Sequence, residues 1–252
     1  MKDYDSFAPF YDLAMGDRED VAVTLRKLLR RYHPKAKTLL EFGCGSGSLL
    51  RVLTKHYQCC GVDLSAGMIK VARKKVPAAA LSVADITRVQ LRKRFDVVLC
   101  AFDTINHIVQ FSDWRRVFQR ACEHLDPEGV FIFDINTERK LQRYADEPPF
   151  AEFVEDATAT FEVTKTARSR FTIHVKVFKP SGATRYSMRE MFVHEATYPV
   201  PRIVQTLSQY FERIHLIDLE RAEASTESEE LYFVCSKPKQ RGRPKQWPRY
   251  SS

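Results

Sequence analysis

Glu41-Phe42-Gly43-Cys44-Gly45-Ser46-Gly47 sets glycines at alternate positions between an apolar run and a helix-like stretch. Glycine lets a backbone turn sharply and lets a ligand approach with no β-carbon in the way. A helix beginning there offers unpaired N–H groups and a positive dipole end to a carboxylate on that ligand. Asp63 lies twenty residues after Gly43, at the end of a second apolar run, where an acid can accept from both hydroxyls of a ribose. A tight strand-to-helix turn with an incidental acid could leave the same letters, but the joint spacing argues against it. Asp85 closes a third run and either suits the amino edge of an adenine or caps the turn at Ile86-Thr87. A dinucleotide fingerprint wants Gly-x-Gly-x-x-Gly, whereas here the sixth position is Ser48 and Gly47 intervenes.

These residues need elements to hold them. Residues 17 to 33 have the periodicity of an amphipathic helix, ended by Pro34. Thr38 to Phe42 reads as a strand, Ser48 to Tyr57 as a helix, Cys59 to Asp63 as a strand and Ala66 to Lys75 as a helix. Leu81 to Asp85 repeats the pattern of strand followed by acid, and Phe95 to Phe102 is a strong buried-strand signal. A helix over Trp114 to Leu125, a turn at Asp126-Pro127-Glu128-Gly129 and a strand over Val130 to Ile135 follow. Strands alternating with helices imply right-handed crossovers and a parallel sheet covered on both faces. Ligands of such sheets bind beyond the carboxyl ends of the strands, where Gly43, Asp63, Asp85 and Asp103 fall. After about residue 150, Ala159 to Val163, Arg170 to Phe178 and Tyr186 to His194 alternate as antiparallel strands, with a turn at Ser181-Gly182. A helix over about Pro201 to Phe211 and strands Ile214 to Leu219 and Leu231 to Cys235 return to the α/β layer.

Composition excludes a disordered chain: of 252 residues, 44% are hydrophobic and 12% aromatic. No apolar run reaches the roughly 18 residues that span a bilayer, and acids near Met1 argue against a signal peptide. Six cysteines without CxxC pairing fit free thiols in a reducing cytoplasm and argue against a metal site. The net charge is +8, but Lys237, Lys239, Arg241, Arg243, Lys245 and Arg249 supply six charges in a stretch without acids, leaving +2 elsewhere.

Leu39 to Gly47 together with Gly61-Val62-Asp63-Leu64-Ser65-Ala66-Gly67-Met68 resembles the first two motifs of class I S-adenosylmethionine-dependent methyltransferases. The likeness extends through Ala84-Asp85-Ile86, Arg94 to Val98 and Leu125 to Val130, covering residues 4 to 236. Phe7 to Asp12, Asp103 to Ile108 and His194-Glu195-Ala196-Thr197-Tyr198 are similar to segments of the deoxysugar N-methyltransferases and related bacterial enzymes. The resemblance implies a doubly wound, mostly parallel, seven-stranded Rossmann-like sheet with a small antiparallel insertion. It divides the chain into an N-terminal helical lid over 1–37, a core over 38–149 and 197–236, an insertion over 150–196 above the active site, and a basic tail over 237–252.

Carried over by position, Gly43, Cys44, Gly45 and Gly47 would shape the loop around the methionine part of S-adenosylmethionine, and Glu41 would hold that loop through its amides. Asp63 would take the ribose hydroxyls, Leu64 and Met68 would flank the adenine, and Asp85 and Ile86 would bind its edge. Ala101 would offer its backbone to the methionine ammonium, and Tyr11 would close over the cofactor. Methyl transfer requires alignment, plus removal of a proton when the acceptor is a hydroxyl or ammonium. His107, beside the expected methyl, is the first candidate for acceptor contact or base, and His194 approaches from the lid side. Asp103 and Asn106 could orient an amine or hydroxyl, and Asp134 and Asn136 end the fifth strand on the same crevice. Any of these four could instead be caps.

The acceptor reads as a small molecule. Asp103-Thr104-Ile105-Asn106 lacks the Pro-Pro of amino-methylating DNA enzymes, and no cysteine follows a proline as in the cytosine C5 enzymes. The expectation is therefore a cytoplasmic, non-membrane enzyme methylating N or O of a small acceptor, as monomer or dimer. Lys237 to Gln246 resembles an AT-hook, whose Arg-Gly-Arg-Pro core suits the narrow minor groove. The alternative is thus a DNA-associated protein with a methyltransferase-like fold, making weak A/T-rich contacts through residues 237–249.

Overall fold

The computed structural model describes residues 2–16, 19–154, 156–182 and 184–239. Helices α1 (Lys2–Phe7), α2 (Tyr11–Met15) and α3 (Glu19–Tyr32) precede strand β1 (Thr38–Phe42). Helix α4 (Ser48–Leu53), β2 (Gln58–Asp63), α5 (Ala66–Lys75), β3 (Ala80–Val83) and β4 (Phe95–Cys100) follow. Then come α6 (Phe111–His124), β5 (Leu125–Asn136), α7 (Glu138–Asp146) and four strands: β6 (Phe150–Val154), β7 (Ala157–Ala167), β8 (Arg170–Pro180) and β9 (Tyr186–Ala196). Helix α8 (Val200–Leu207), β10 (Phe211–Ile217) and β11 (Glu230–Pro238) complete the described chain.

The main sheet has seven strands in the order β10-β11-β5-β4-β1-β2-β3, and β11 alone runs antiparallel to its neighbours. Strand alternation divides its side chains between two helical layers. Leu40, Phe42, Val98, Phe131 and Phe133 pack with Trp114 and Phe118 of α6 and Ile203 and Leu207 of α8. Leu39, Val97, Leu99 and Ile132 pack on the other face with Leu25 and Leu29 of α3, Leu50 of α4 and Ile69 of α5. After β1 the chain winds one way to β2 and β3 and then back to β4 and β5. The strand order therefore reverses between β1 and β4, and the crevice above that point is where such sheets bind ligands.

The second sheet, in the order β6-β7-β8-β9, is antiparallel throughout. Its inward residues Ala159, Phe161, Val175, Met191 and Val193 pack against Phe7 and Ala14 of the N-terminal segment. That contact places the segment over the carboxyl edge of the main sheet.

Several sequence expectations shift. The helix expected over Ser48 to Tyr57 ends at Leu53, with turns beyond it. The turn expected at Asp126 to Gly129 lies inside β5, where the register with β4 breaks between the Phe95–Leu125 and Val97–Val130 pairs. Helix α7 and strand β6 escaped the sequence because each buries too little to leave a pattern: Leu141 alone is buried in α7, and no residue is buried in β6. The basic tail also begins later than its composition suggests. Pro238 pairs with Phe211, and Lys239 donates from its amide to the Tyr210 carbonyl (2.7 Å) and from Nζ to the Ser208 carbonyl (2.6 Å). Residues 240–252, with most of the AT-hook-like stretch expected to contact DNA, lie outside the described residues. Among the described residues no helix is long and apolar enough to cross a membrane.

Candidate active site

The chain leaves β1 through Gly43, Gly45 and Gly47, at φ of +71°, +51° and +82°. Strand β2 pins this loop. The amides of Gly43 and Cys44 donate to the Val62 carbonyl (2.8 and 3.0 Å), and the Gly45 amide donates to Asp63 Oδ2 (2.9 Å). The Ser65 amide donates to Asp63 Oδ1 (2.8 Å), so the carboxylate is set by the glycine loop and the start of α5 together. At Gly43 a β-carbon would overlap Thr104, which brings the segment after β4 against the loop at a distance only glycine allows.

The N-terminal segment straps across both. Asp12 accepts from the hydroxyls of Ser46 (2.6 Å) and Ser48 (3.1 Å) and from Lys75 Nζ (2.6 Å). Asp5 accepts from Ser65 Oγ (2.6 Å) and the Gly67 amide (2.8 Å), bonds that hold its carboxyl below the usual range. Tyr4 and Tyr11 thereby enter a cavity of about 640 Å³. It is lined by Asp63, Leu64, Met68, Asp85 and Ile86, by Gly43, Gly45 and the two tyrosines, and by His107, Phe171, Phe192 and Glu195.

Not every candidate reaches this cavity. The side chain of Cys44 is buried in the core beneath the loop, and Gly47 packs under Ala72 and Val76 of α5. The Ala101 carbonyl accepts from Thr104 Oγ1 (2.8 Å). Asp85 lines the cavity while also capping its own turn through the Thr87 amide (2.8 Å) and hydroxyl (2.7 Å). His194 lines the cavity while exposed to solvent, with Nδ1 on Thr172 Oγ1 (3.0 Å). Asn106 is fully buried, and its amide is spent on backbone: Nδ2 donates to the carbonyls of Asn136 (3.0 Å) and Ala196 (3.1 Å), and Oδ1 accepts from the Asn136 amide (3.0 Å). It joins β5 to β9 and has no polar atom left for an acceptor.

Glu41 departs from expectation too. The loop amides it was expected to hold are taken by Val62 and Asp63, while its own Oε2 is buried without a partner. Burial, and then the charge of Asp63, push its carboxyl up to about 8, so it is protonated at neutral pH. Relative to its ordinary value of 4.5, folding therefore takes up a proton. The resulting stabilisation is full below the ordinary value and lost as pH rises through about 8. Thermal melts from about pH 5 to 8 should accordingly fall less steeply for Glu41→Gln than for wild type. Parallel melting profiles would show that Glu41 is not the group responsible.

Just after β4, Phe102 and Asp103 adopt left-handed conformations, with φ of +62° and +48°. Asp134 enforces them by accepting from both amides (2.6 and 2.7 Å), and its own carboxyl is pushed up to about 8 by burial and then by Glu230 and Asp103. Asn136 Nδ2 links Asp103 Oδ2 (2.8 Å) to Glu195 Oε2 (3.3 Å). His107 Nδ1 is buried without a partner, and burial holds the imidazole below its ordinary value. Tyr4, Thr104 and Glu195 were not identified as site residues from sequence. Glu195 left one trace, an acid in the inward phase of β9 shared by Met191 and Val193.

This sequence and fold match those of known proteins. A family model described as a methyltransferase domain matches residues 39–129. A Geobacillus protein whose methyltransferase activity is itself provisional is 26% identical over 245 residues, covering 93% of this chain and 99% of its own. A dTDP-3-amino-3,6-dideoxy-alpha-D-glucopyranose N,N-dimethyltransferase of Streptomyces fradiae is 35% identical over 132 residues, about half of each chain. Among solved structures, an S-adenosylmethionine-dependent methyltransferase from Clostridium acetobutylicum superposes with a TM-score of 0.78 at 22% identity, over 92% of this chain and 98% of its own. The sugar N-methyltransferase KedS8 from Streptoalloteichus does so at 0.75 and 21%, over 91% and 92%. At such identities these two establish the fold.

On that fold, the methyltransferase domain over residues 39–129 and the methyltransferase relatives mark this protein as a class I S-adenosylmethionine-dependent methyltransferase. Its residues fit that cofactor: the Asp63 carboxylate, preset by the Gly45 and Ser65 amides on the cavity wall, is the acceptor a ribose requires.

Proposed function

We propose that this enzyme methylates nitrogen or oxygen of a small-molecule acceptor bound between the glycine loop and the antiparallel sheet. The carrying observation is one cavity that runs from Asp63 to His107 and Glu195 beneath Tyr4 and Tyr11. S-adenosylmethionine supplies a methyl group already activated on its sulfonium. Asp63 and the loop of Gly43 and Gly45 would hold its ribose and methionine, with Leu64, Met68, Asp85 and Ile86 around the adenine. The protein's remaining task is alignment and exclusion of water, and the strap of α1 and α2 suits both.

Two relatives that resemble half of this chain act on amino sugars, which favours a nitrogen acceptor of that size. Six buried free thiols suit a reducing compartment such as the cytoplasm. The test is calorimetric titration with S-adenosylhomocysteine, followed by mass spectrometry of amino sugars and their hydroxyl counterparts incubated with enzyme and S-adenosylmethionine. Binding plus a methylated product is expected; failure of S-adenosylhomocysteine to bind would refute the proposal.

A further inference from the structure

Ahead of the basic tail the charges nearly cancel, yet they are sorted along the chain. Residues 21–94 hold sixteen Lys and Arg against three acids, Glu41, Asp63 and Asp85. Glu41 is buried, and Asp63 and Asp85 line the cavity. Outside residues 21–94 and 237–252 acids outnumber bases by eleven, so acids are not scarce. Much of the basic excess sits at one place in the fold. The loops that lead into the parallel strands lie at the amino edge of the main sheet, opposite the cavity. Arg31, Lys35 and Lys37 precede β1, Lys55 precedes β2, and Arg92 and Lys93 precede β4; all six are exposed. Strands β4, β1 and β2 are neighbours, and hydrogen bonds tie their starts together. The Gln58 amide donates to the Lys37 carbonyl (2.8 Å), and the Lys37 amide donates to Asp96 Oδ2 (2.8 Å).

We propose that this amino edge docks the enzyme on the phosphate backbone of double-stranded DNA. Most of its cations lack partners of their own. Arg51, Lys75 and Arg88 pair with Glu19, Asp12 and Asp85. Among the described residues Arg31, Lys35, Lys37, Lys55 and Arg92 form no ion pair. Glu128 and Glu212, the exposed acids of this edge among the described residues, lie beyond β4 on β5 and β10. Arg26 and Arg30 of α3 stand close to Lys55 around His56; after desolvation, their charges hold that imidazole below its ordinary value. Crowding of like charges is unfavourable in the free protein, and a row of phosphates relieves it.

A lipid surface or an acidic protein suits this edge less well. No large apolar side chain is exposed on it among the described residues; those exposed belong to the antiparallel sheet, the carboxyl edge and the first half of α3. Membrane-binding faces insert such side chains, and protein interfaces place them at the centre. Three adjacent strands span about 10 Å, and over that length a duplex presents about six phosphates. Strand β11 runs antiparallel to β5 and so ends on the same edge, at Pro238. Residues 240–252 continue from there with Arg241, Arg243, Lys245 and Arg249 and no acid. Gly242 between two arginines suits the narrow minor groove of DNA, whereas that of an RNA duplex is wide and shallow. The five residues of β1 separate the two edges by about 17 Å. The cavity therefore stays open while the edge is occupied: the DNA holds the enzyme and is not its acceptor.

The test is fluorescence anisotropy of a short labelled DNA duplex titrated with the full chain. Six phosphate contacts predict an affinity that falls about a thousandfold between about 50 and 200 mM salt. Replacing Lys35, Lys37 and Lys55 together by alanine should lower affinity several hundredfold near 0.1 M salt and flatten the log–log salt slope by about three. The same variant should keep the wild-type melting temperature and its response to S-adenosylhomocysteine, because none of the three residues lines the cavity. Replacing Lys165, Arg168 and Arg185 of the insertion by alanine should change DNA affinity far less. No duplex binding by wild type, or wild-type affinity in the Lys35, Lys37 and Lys55 variant, would overturn the proposal. Tighter binding to an RNA duplex of the same length would overturn it in favour of RNA. Binding to phosphatidylserine vesicles without binding to the duplex would overturn it in favour of a lipid surface. Poly-glutamate that displaces the label as well as unlabelled duplex would overturn it in favour of an acidic protein.

Discussion

Asp63→Ala should lower affinity for S-adenosylhomocysteine at least a hundredfold, a loss of about 3 kcal/mol. Two effects add. The ribose would lose its charged acceptor, and hydrogen bonds to charged groups are worth about 1.5–3 kcal/mol each. The amides of Gly45 and Ser65 would lose their partner, and an orphaned buried donor costs about 1–3 kcal/mol. The second effect loosens the glycine loop from β2 before any ligand arrives, so the melting temperature should fall as well. Asp63→Asn keeps the volume and one acceptor oxygen and should lie between the two. Calorimetric titration and thermal melts measure both consequences, and wild-type affinity in the alanine variant would remove Asp63 from the cofactor site.

Trp114→Ala should destabilise the fold by about 3–5 kcal/mol, the usual cost of emptying a buried tryptophan site. Trp114 has no exposed surface and meets Tyr198 and Phe118 edge-on, with ring centroids 5.2 and 6.3 Å away. Its indole N–H donates to the Ile108 carbonyl (2.7 Å), the residue after His107. The cavity left behind therefore lies beneath the segment that carries the acceptor end of the site. Trp114→Phe retains most of the packing but not the hydrogen bond, and should lose about 1 kcal/mol for the missing bond plus the smaller ring. Denaturant unfolding of the two variants separates packing from hydrogen bonding; a loss under 1 kcal/mol for the alanine would contradict the packing described.

The proposed cofactor end was legible because its signals are short in sequence. Glycines at alternate positions, an acid twenty residues on and another acid at the next strand end all fall where strands leave the sheet. Each follows from strand periodicity and the steric freedom of glycine. The acceptor end was legible only in part. His107 lines the cavity, yet Asn106 beside it faces away, because the turn after β4 sends successive side chains to opposite sides. Glu41 carried the right letter and a different environment: whether a buried acid finds a partner depends on β2, which supplies the loop amides with other acceptors.

By itself the sequence determined the alternating sheet, the glycine turn and the row of acids at its carboxyl edge, all consequences of local periodicity and backbone sterics. Tertiary structure alone decided that buried Glu195, far along the chain on an inserted strand, comes within reach of Asp103 and His107. Such a meeting is set by which faces of two sheets pack together, and burial then holds the Glu195 carboxyl above its usual range.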